Sequence, residues 1–254
     1  MKAEDREQAP KAWLTIRDAA GAIVTRLPAS LSRGIHRATW NYELPSVAPL
    51  ASGSRPTALP GKYSVSYSQV IEGETKELVA ATEFEVQPLG WDGVTPEQRG
   101  AYAAFNTEVA KVQRVVMAAQ QMVQDTREQI DFIQRMVDTT PKLDASFAKE
   151  VRELGLRLED LAESFSGDGT KPKRSEPGVP GMMDRLQTVI QGSYGVSTGP
   201  TNTHRRLLAI VSEEYAAVEA KLRQLIEQDL PNLNQRLEDA GAPWTPGRRI
   251  PVIK

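Results

Sequence analysis

Histidine titrates near neutral pH and binds metals, so the two histidines of this 254-residue sequence are its first candidates for chemistry. His36 lies in the stretch SRGIHRATWNYELP (32–45), where alternating side chains predict a β-strand over 34–44. The alternation puts His36 and Trp40 on the apolar side of that strand. We therefore expect His36 to be a half-buried structural histidine and Trp40 to be a core residue.

The second histidine, His204, lies at the start of a predicted helix beside Arg205 and Arg206. Basic side chains are slightly unfavourable there, because the N-terminus of a helix carries a partial positive charge. The cluster could bind an anion or the carboxylate of a partner, but a solvated helix face is the simpler interpretation. Two histidines without any cysteine do not favour a zinc site.

Adjacent carboxylates could act as a general acid and base, provided that their surroundings separate their pKa values. Three such pairs fall between apolar positions of predicted helices, where we expect them to be solvated: Glu159–Asp160, Glu213–Glu214 and Glu238–Asp239. The segment GDGTK (167–171) has some features of a calcium or phosphate loop. It lacks the repeated acids of an EF-hand and the spacing of a P-loop, so we interpret it as an ordinary loop.

Composition and the absence of known motifs exclude further kinds of functional site. The chain has no cysteine, which excludes disulfides and thiolate nucleophiles, and it contains neither G-x-S-x-G nor H-E-x-x-H. We therefore predict no catalytic, cofactor-binding or metal-binding residue and no cofactor. The net charge of −2 does not favour nucleic-acid binding. No apolar run is long enough for a transmembrane segment, and the start MKAEDREQAP lacks the apolar region of a signal peptide.

The first third of the chain has the period-two pattern of antiparallel β-structure. Strands are predicted at 12–18, 22–27, 34–44, 60–71 and 75–88. Hairpin turns are predicted at 18–21 and 72–73, and a loop at 45–60. This pattern predicts a small β-sandwich over 12–90, preceded by an N-terminal extension at 1–11.

After residue 88 the pattern becomes helical. Thr95 and Gln98 form a predicted capping box at the start of the first helix. A heptad stripe then runs through Phe105, Val109, Val112, Val116, Ala119, Val123, Thr126, Ile130, Ile133 and Val137. Helices are predicted at about 96–139, 143–165, 181–194 and 200–240, with a mobile loop at 166–180 and a Pro-rich tail at 241–254. Near Pro231 the last helix shifts its stripe, as a proline kink allows.

The helix lengths predict a long up-down-up bundle over 95–240, whose middle helix is broken by the loop. The fold class is therefore α+β in two parts. Pairing of the heptad stripes between chains, as a coiled coil, remains an alternative to packing within one chain.

Four motifs follow one another in a distinctive order: LTIRDAAGAIV, GIHRATWNYELP, LPGKYSVSYSQV and FEVQP. In this order they resemble the Ig-like domain near the C-terminus of bacterial sortilin-type, BNR-repeat β-propeller proteins, often labelled glycosyl hydrolases or exo-sialidases. The pattern is also similar to one in flagellar hook-capping proteins. A helical region follows in the sortilin-type family and closes with a segment like AVEAKLRQLIEQDLPNLNQRLEDAGAP (217–243).

The resemblance implies an Ig-like sandwich followed by a helical region. It also implies a β-propeller polypeptide as partner, either upstream in the same protein or as a separate subunit. Export to the periplasm, the cell surface or the medium is implied in the same way. Any glycosidase site would lie in the propeller, which this chain lacks, so no catalytic residue is carried over. The family's sandwich has a strand before LTIRD, where this chain has MKAEDREQAP. We therefore expect the strand at 12–17 to be an edge strand or to be covered by a partner segment.

Three functions remain open. The first is a non-catalytic interaction module that accompanies a sialidase-like propeller. The second is a glycosyl hydrolase whose catalytic propeller lies outside this chain, in which case the chain is not catalytic by itself. The third is a structural scaffold assembled through its coiled-coil stripes, so the oligomeric state stays open.

Overall fold

The computed structural model describes residues 8–47, 55–89, 93–174, 176–194 and 199–250. The chain forms two compact units, which are described separately below. The first takes the chain up to Thr107 together with residues 193–199, and the second takes 108–192 and the chain from Pro200 onward.

The first unit contains a four-stranded antiparallel sheet. Its strands are β1 (Lys11–Asp18), β2 (Ile23–Ala29), β3 (Gly61–Ile71) and β4 (Glu74–Val86). They are arranged in the order β2-β1-β3-β4. The core lies on one face of the sheet, where Ile16, Val24 and Tyr63 are buried. An antiparallel sheet at the N-terminus, followed by helices, is the α+β arrangement that the sequence pattern predicts.

Both predicted hairpin turns are confirmed, and each has a local cause. In the turn after β1, Asp18 Oδ1 accepts hydrogen bonds from the backbone N–H groups of Ala20 (3.0 Å) and Ala22 (2.9 Å). Between β3 and β4, Glu72 and Gly73 have φ values of 49° and 87°. Two successive positive φ angles match the strong twist of a two-residue hairpin.

The predicted strand at 34–44 is wrong. This segment is irregular and mostly exposed, and its one contact of the ladder type is an isolated bridge between Glu43 and Thr57. A positive φ of 64° at Tyr42 interrupts the extended backbone. Trp40 and Leu44 nevertheless pack on the core face of the sheet. Within the described residues, an irregular segment therefore covers the sheet where the sequence pattern predicted a strand.

The expectation that the strand at 12–17 lies at an edge is also wrong. β1 pairs with β2 on one side and with β3 on the other, so its backbone is satisfied within the chain. The edges are β2 and β4. β2 carries Pro28, which cannot donate a ladder hydrogen bond, and β4 shifts register twice opposite Val65–Ser68. Prolines and register irregularities are common protections of a sheet edge against pairing with other chains.

Hydrogen exchange provides a test of this strand order. We expect amides 12–17 of the isolated chain to exchange slowly, because β1 is hydrogen-bonded on both sides. The outward amides of β2 and β4 serve as the internal comparison and should exchange faster. Rapid exchange at every second amide of 12–17, measured by NMR, would contradict the central position of β1.

The helices follow the sheet in the order predicted from their periodicity. They are α1 (Pro96–Asp138), α2 (Ala145–Ser166), α3 (Thr170–Lys173), α4 (Met182–Ser193), α5 (Asn202–Gln224) and α6 (Leu230–Asp239). The capping box of α1 is present, with Gln98 N–H donating to Thr95 Oγ1 and Thr95 N–H donating to Gln98 Oε1. α3 is a single helical turn inside the segment predicted to be a loop.

The heptad stripe of α1 is buried along nearly its whole length, and only Val112 among its ten members is half-buried. In the second unit, Arg127 of α1 binds Glu159 of α2 with two hydrogen bonds of 2.7 and 2.9 Å. Nearby, Ile130 faces Gly155 of α2, where a Cβ atom would lie 3.7 Å from the isoleucine side chain. These contacts run in opposite directions along the two helices, so α1 and α2 are antiparallel here.

α5 and α6 are joined by a π-helical turn at Leu225–Asp229. The N–H of Leu230 donates to the carbonyl of Leu225, five residues back. Buried leucines therefore step by five residues from Leu225 to Leu230 before the ordinary spacing resumes at Leu233 and Leu237. The shift of stripe predicted near Pro231 is confirmed. Its local form is a π-turn, which accommodates one extra residue in a helix.

The loop between α2 and α4 closes at a narrow neck where Gly167 meets Gly181. The α-carbon of Gly181 packs directly against the backbone of residues 165–167. A methyl group on it would overlap the carbonyl oxygen of Phe165. Gly167 has a φ of 73°, a conformation that side chains other than glycine rarely adopt. The ends of the loop are thus held together by direct backbone packing.

Replacement of Gly181 by alanine should destabilise the chain by about 1–3 kcal/mol, because the new methyl group must displace backbone atoms rather than a flexible side chain. Gly169→Ala is the matched control, since a Cβ at Gly169 meets nothing within 4 Å. Urea unfolding of both variants measures the difference. Equal midpoints would show that the neck is not tightly packed.

Candidate functional site

His36 is exposed on the irregular segment, so the expectation of a half-buried histidine on a strand is wrong. Its Nε2 lies 3.0 Å from the carbonyl oxygen of Ser32 and 3.2 Å from the Ser32 hydroxyl. Trp40 is half-buried, in edge-to-face contact with Tyr63 at 5.4 Å between ring centroids. Its indole N–H donates to the Glu43 carbonyl at 3.2 Å. The environment of His36 is therefore a local turn, and that of Trp40 is the core face of the sheet.

His204 completes a capping box at the start of α5. The N–H of Thr201 donates to His204 Nδ1 at 3.3 Å, and the N–H of His204 donates to Thr201 Oγ1 at 3.2 Å. The ring packs directly over Gly192, where any Cβ would overlap it. His204 is half-buried rather than on a solvated face, and its Nδ1 must be unprotonated to accept the hydrogen bond. The structure thus uses this histidine to hold the helix end.

Each candidate carboxylate pair has one member bound by an arginine of another element. The ion pairs are Glu159–Arg127 at 2.7 Å, Glu214–Arg185 at 2.8 Å, and Glu238–Arg248. Hydrogen bonding to Glu159 raises the pKa of Arg127 above its ordinary value. These glutamates connect elements of the fold.

The GDGTK segment forms a helix cap. Asp168 Oδ1 accepts hydrogen bonds from the Thr170 hydroxyl (2.6 Å) and from the Thr170 N–H (2.9 Å), and these bonds lower the pKa of Asp168. Lys171 lies 3.7 Å from the same carboxylate. The aspartate therefore starts the single turn of α3, and its oxygens are engaged within the loop. Across the described residues, no three histidine, aspartate or glutamate side chains approach closely enough to hold a metal ion.

The candidate site that the sequence reasoning missed lies between α6 and the segment 241–250, which we call the C-terminal strap. The strap begins where Gly241 accepts a hydrogen bond from Lys142 Nζ at 2.8 Å. It turns at Thr245–Arg248, with the N–H of Arg248 donating to the Thr245 carbonyl. A cleft of about 310 Å³ remains between strap and helix, lined by Pro231, Asn234, Gln235, Glu238, Asp239, Gly247, Arg248, Arg249 and Ile250.

Arg248 holds the strap in place, and only 2% of its side chain is exposed. Its guanidinium binds Glu238 of α6 and donates to the Pro243 carbonyl at 2.6 Å. Arg248 and Glu238 are thus engaged with each other, while Asp239 and Arg249 also line the cleft. The contacts of Arg248 fasten the strap to α6 by charge and hydrogen bonds. The sequence signal for the strap is a Pro-Gly-Arg-Arg turn that follows the acidic end of the last helix. The sequence pattern alone predicted only a Pro-rich tail at 241–254.

Tyr194, just after α4, is the most strongly perturbed titratable group of the described residues. Its burial, followed by its proximity to Tyr102, raises its pKa to about 12. A phenol with this pKa stays protonated at neutral pH and cannot act as a base there.

No family model matches the chain, and no curated protein or solved structure is significantly similar to it. Among the helices of the described residues, none is both long and apolar enough to cross a membrane.

The role of Arg248 can be tested by replacement with methionine, which keeps much of the volume and removes the charge. We expect a loss of about 2 kcal/mol in the free energy of unfolding, because Glu238 and the strap carbonyls lose a buried donor. Arg249→Met is the matched control, since Arg249 is the exposed neighbour. Similar urea midpoints for the two variants would contradict the fastening role.

Proposed function

We propose that this chain is a non-catalytic interaction module that accompanies a sialidase-like, sortilin-type β-propeller protein. The observation that carries the non-catalytic part is the state of the candidate carboxylates. One glutamate of each pair is bound by an arginine from another element, and Asp168 caps a helical turn. One carboxylate of each pair is therefore used to connect parts of the fold.

The association with a propeller rests on the resemblance of the β motifs, and their contacts support the view that these motifs form one unit. Trp40 comes from the GIHRATWNYELP motif and Tyr63 from LPGKYSVSYSQV, and the two rings meet on the core face of the sheet. Phe84 of the FEVQP motif stacks on Tyr63 with ring centroids 5.9 Å apart. Residues that make the resemblance distinctive thus form one aromatic cluster. This is expected if the motifs belong together as a unit.

The finer architecture is part of the same proposal. We interpret the sheet and its irregular cover as an Ig-like unit in which a strand of the second layer has become a loop. We interpret the helices as an up-down-up bundle with a broken middle helix. The antiparallel contacts of α1 with α2, and the closed neck between α2 and α4, support that interpretation.

The proposal predicts that a β-propeller polypeptide is encoded upstream of this chain or in an adjacent reading frame, and it can be tested with that polypeptide. We expect the two purified polypeptides to form a complex of one-to-one mass in size-exclusion chromatography with light scattering. The chain alone should be monomeric and should not cleave a fluorogenic sialoside. A dimer or trimer independent of concentration would favour the coiled-coil scaffold instead.

The enzymatic alternative needs its own variants. Asp160 and Asp239 are the partners of Glu159 and Glu238 that do not hold an arginine, so replacing them with asparagine should leave the fold intact. Glu213, beside Glu214, is the third such partner and is replaced with glutamine. Turnover by the wild-type chain that disappears in Asp160→Asn, Glu213→Gln or Asp239→Asn would overturn the non-catalytic assignment.

A further inference from the structure

The turn that follows β2 holds three polar side chains that the proposed function does not use. The Oγ atoms of Ser30 and Ser32 lie 2.8 Å apart, and His36 Nε2 lies 3.2 Å from Ser32 Oγ. The Tyr67 hydroxyl of β3 donates to the Ser30 carbonyl at 2.7 Å and so fastens the turn to the sheet. The imidazole ring lies near Gly34, where a Cβ atom would be 3.9 Å from Nε2. The turn therefore presents two hydroxyl groups and an imidazole edge as one cluster at the end of β2.

The hydrogen bonds within this cluster leave one donor unused. His36 Nε2 lies 3.0 Å from the Ser32 carbonyl oxygen, which only accepts hydrogen bonds, so Nε2 carries a hydrogen. Ser30 Oγ accepts the N–H of Ser32 at 3.2 Å. The bond between the two hydroxyl groups takes one of their two hydrogens. The other hydroxyl hydrogen has no acceptor among the described residues, because Nε2, the remaining neighbour, is itself a donor.

The charge around the cluster is positive. The stretch 19–42 contains Arg26, Arg33 and Arg37 but no aspartate or glutamate. Arg33 and Arg37 directly follow the second serine and the histidine of the cluster, and both are exposed. Neither guanidinium forms an ion pair or a hydrogen bond with any residue that the structure describes. A spare hydroxyl hydrogen flanked by two unpaired guanidiniums favours an anion as the ligand.

We propose that the turn at 30–37 binds the phosphate group of a phosphate monoester. The three terminal oxygens of such a group accept several hydrogen bonds at once, and a charge approaching −2 matches two guanidiniums. A carboxylate has two oxygens and a single charge, so it would leave donors of the turn unpaired. Because the turn is exposed, each contact contributes little, and we expect a dissociation constant of about 1–10 mM for inorganic phosphate. The proposal rests on this turn alone and is independent of the association with a propeller.

The test is an NMR titration of the ¹⁵N-labelled full chain with inorganic phosphate, in which sodium chloride keeps the ionic strength constant. Amide signals of 30–37 should shift and saturate, while those of the helices stay in place and show that each variant is folded. Arg33→Gln and Arg37→Gln should each weaken the binding by about fivefold, because each removes one guanidinium from the anion. Ser32→Ala should have a similar effect, because it removes a hydroxyl donor.

Arg26→Gln is the matched control, since it removes the same charge from the same acid-free stretch. Leu27 and Tyr67 are both register partners of Leu14, so they share the core face of the sheet, and Arg26 lies on the opposite face. The turn is fastened from the side of Tyr67, so this change should alter the affinity less than about twofold. Equal losses for Arg26→Gln and Arg33→Gln would overturn the proposal, because they would indicate a general effect of charge.

A second probe identifies the source of the phosphate. A short phosphoserine peptide that binds more tightly than inorganic phosphate indicates a phosphorylated segment of a partner, and one that binds no more tightly indicates a small phosphate ester. Both results support the site. Absence of shifts at about 50 mM phosphate, shifts centred outside 30–37, or binding of a DNA duplex without binding of phosphate would each overturn the proposal.

Discussion

Burial of one apolar stripe along α1 is the constraint on which the helical part of the molecule depends. With 43 residues, α1 is about 65 Å long, several times the average helix of a soluble protein. Such a helix is stable in water only if other elements cover its apolar face. α2 does so near Ile130, and the C-terminal strap adds a contact where Gly247 packs against Gln129. The packing of α2 and of the strap against α1 meets this requirement.

Arginines then set how the covering elements are aligned. Arg127, Arg157, Arg185 and Arg236 each bind a carboxylate across a seam of the helical unit. Exposed ion pairs contribute little free energy, so most of these contacts define alignment more than stability. Arg248 differs, because its side chain is almost completely buried.

Periodicity and capping predicted the helices well. The stripe of α1 repeats over about nine turns, from Phe105 to Val137, and Thr95 and Gln98 mark the start of the helix. The segment around Trp40 was harder to predict. Its residues alternate as in a strand. Whether a segment becomes a strand depends, however, on which partners the rest of the sheet leaves for it, and β1 is already paired with β2 and β3. The strap was missed for a related reason. Burial of Arg248 depends on Glu238 and the Pro243 carbonyl, and no local pattern of side chains reports such a tertiary contact.

The π-turn between α5 and α6 has a consequence for how the chain tolerates length changes. One residue of an α-helix corresponds to a rotation of 100°, so the five-residue step from Leu225 to Leu230 sets the phase of everything after it. In a regular α-helix a step of five residues would turn Leu230 well away from the face of Leu225, and the π-turn removes that offset by taking one extra residue into the turn. Pro231 stabilises this arrangement, since it has no N–H to restore the regular hydrogen bond. Deleting one residue inside the turn would leave the leucines at ordinary steps of four, three and four residues, so α6 would keep its buried face, whereas the same deletion within α6 would rotate the leucines that follow it by about 100°.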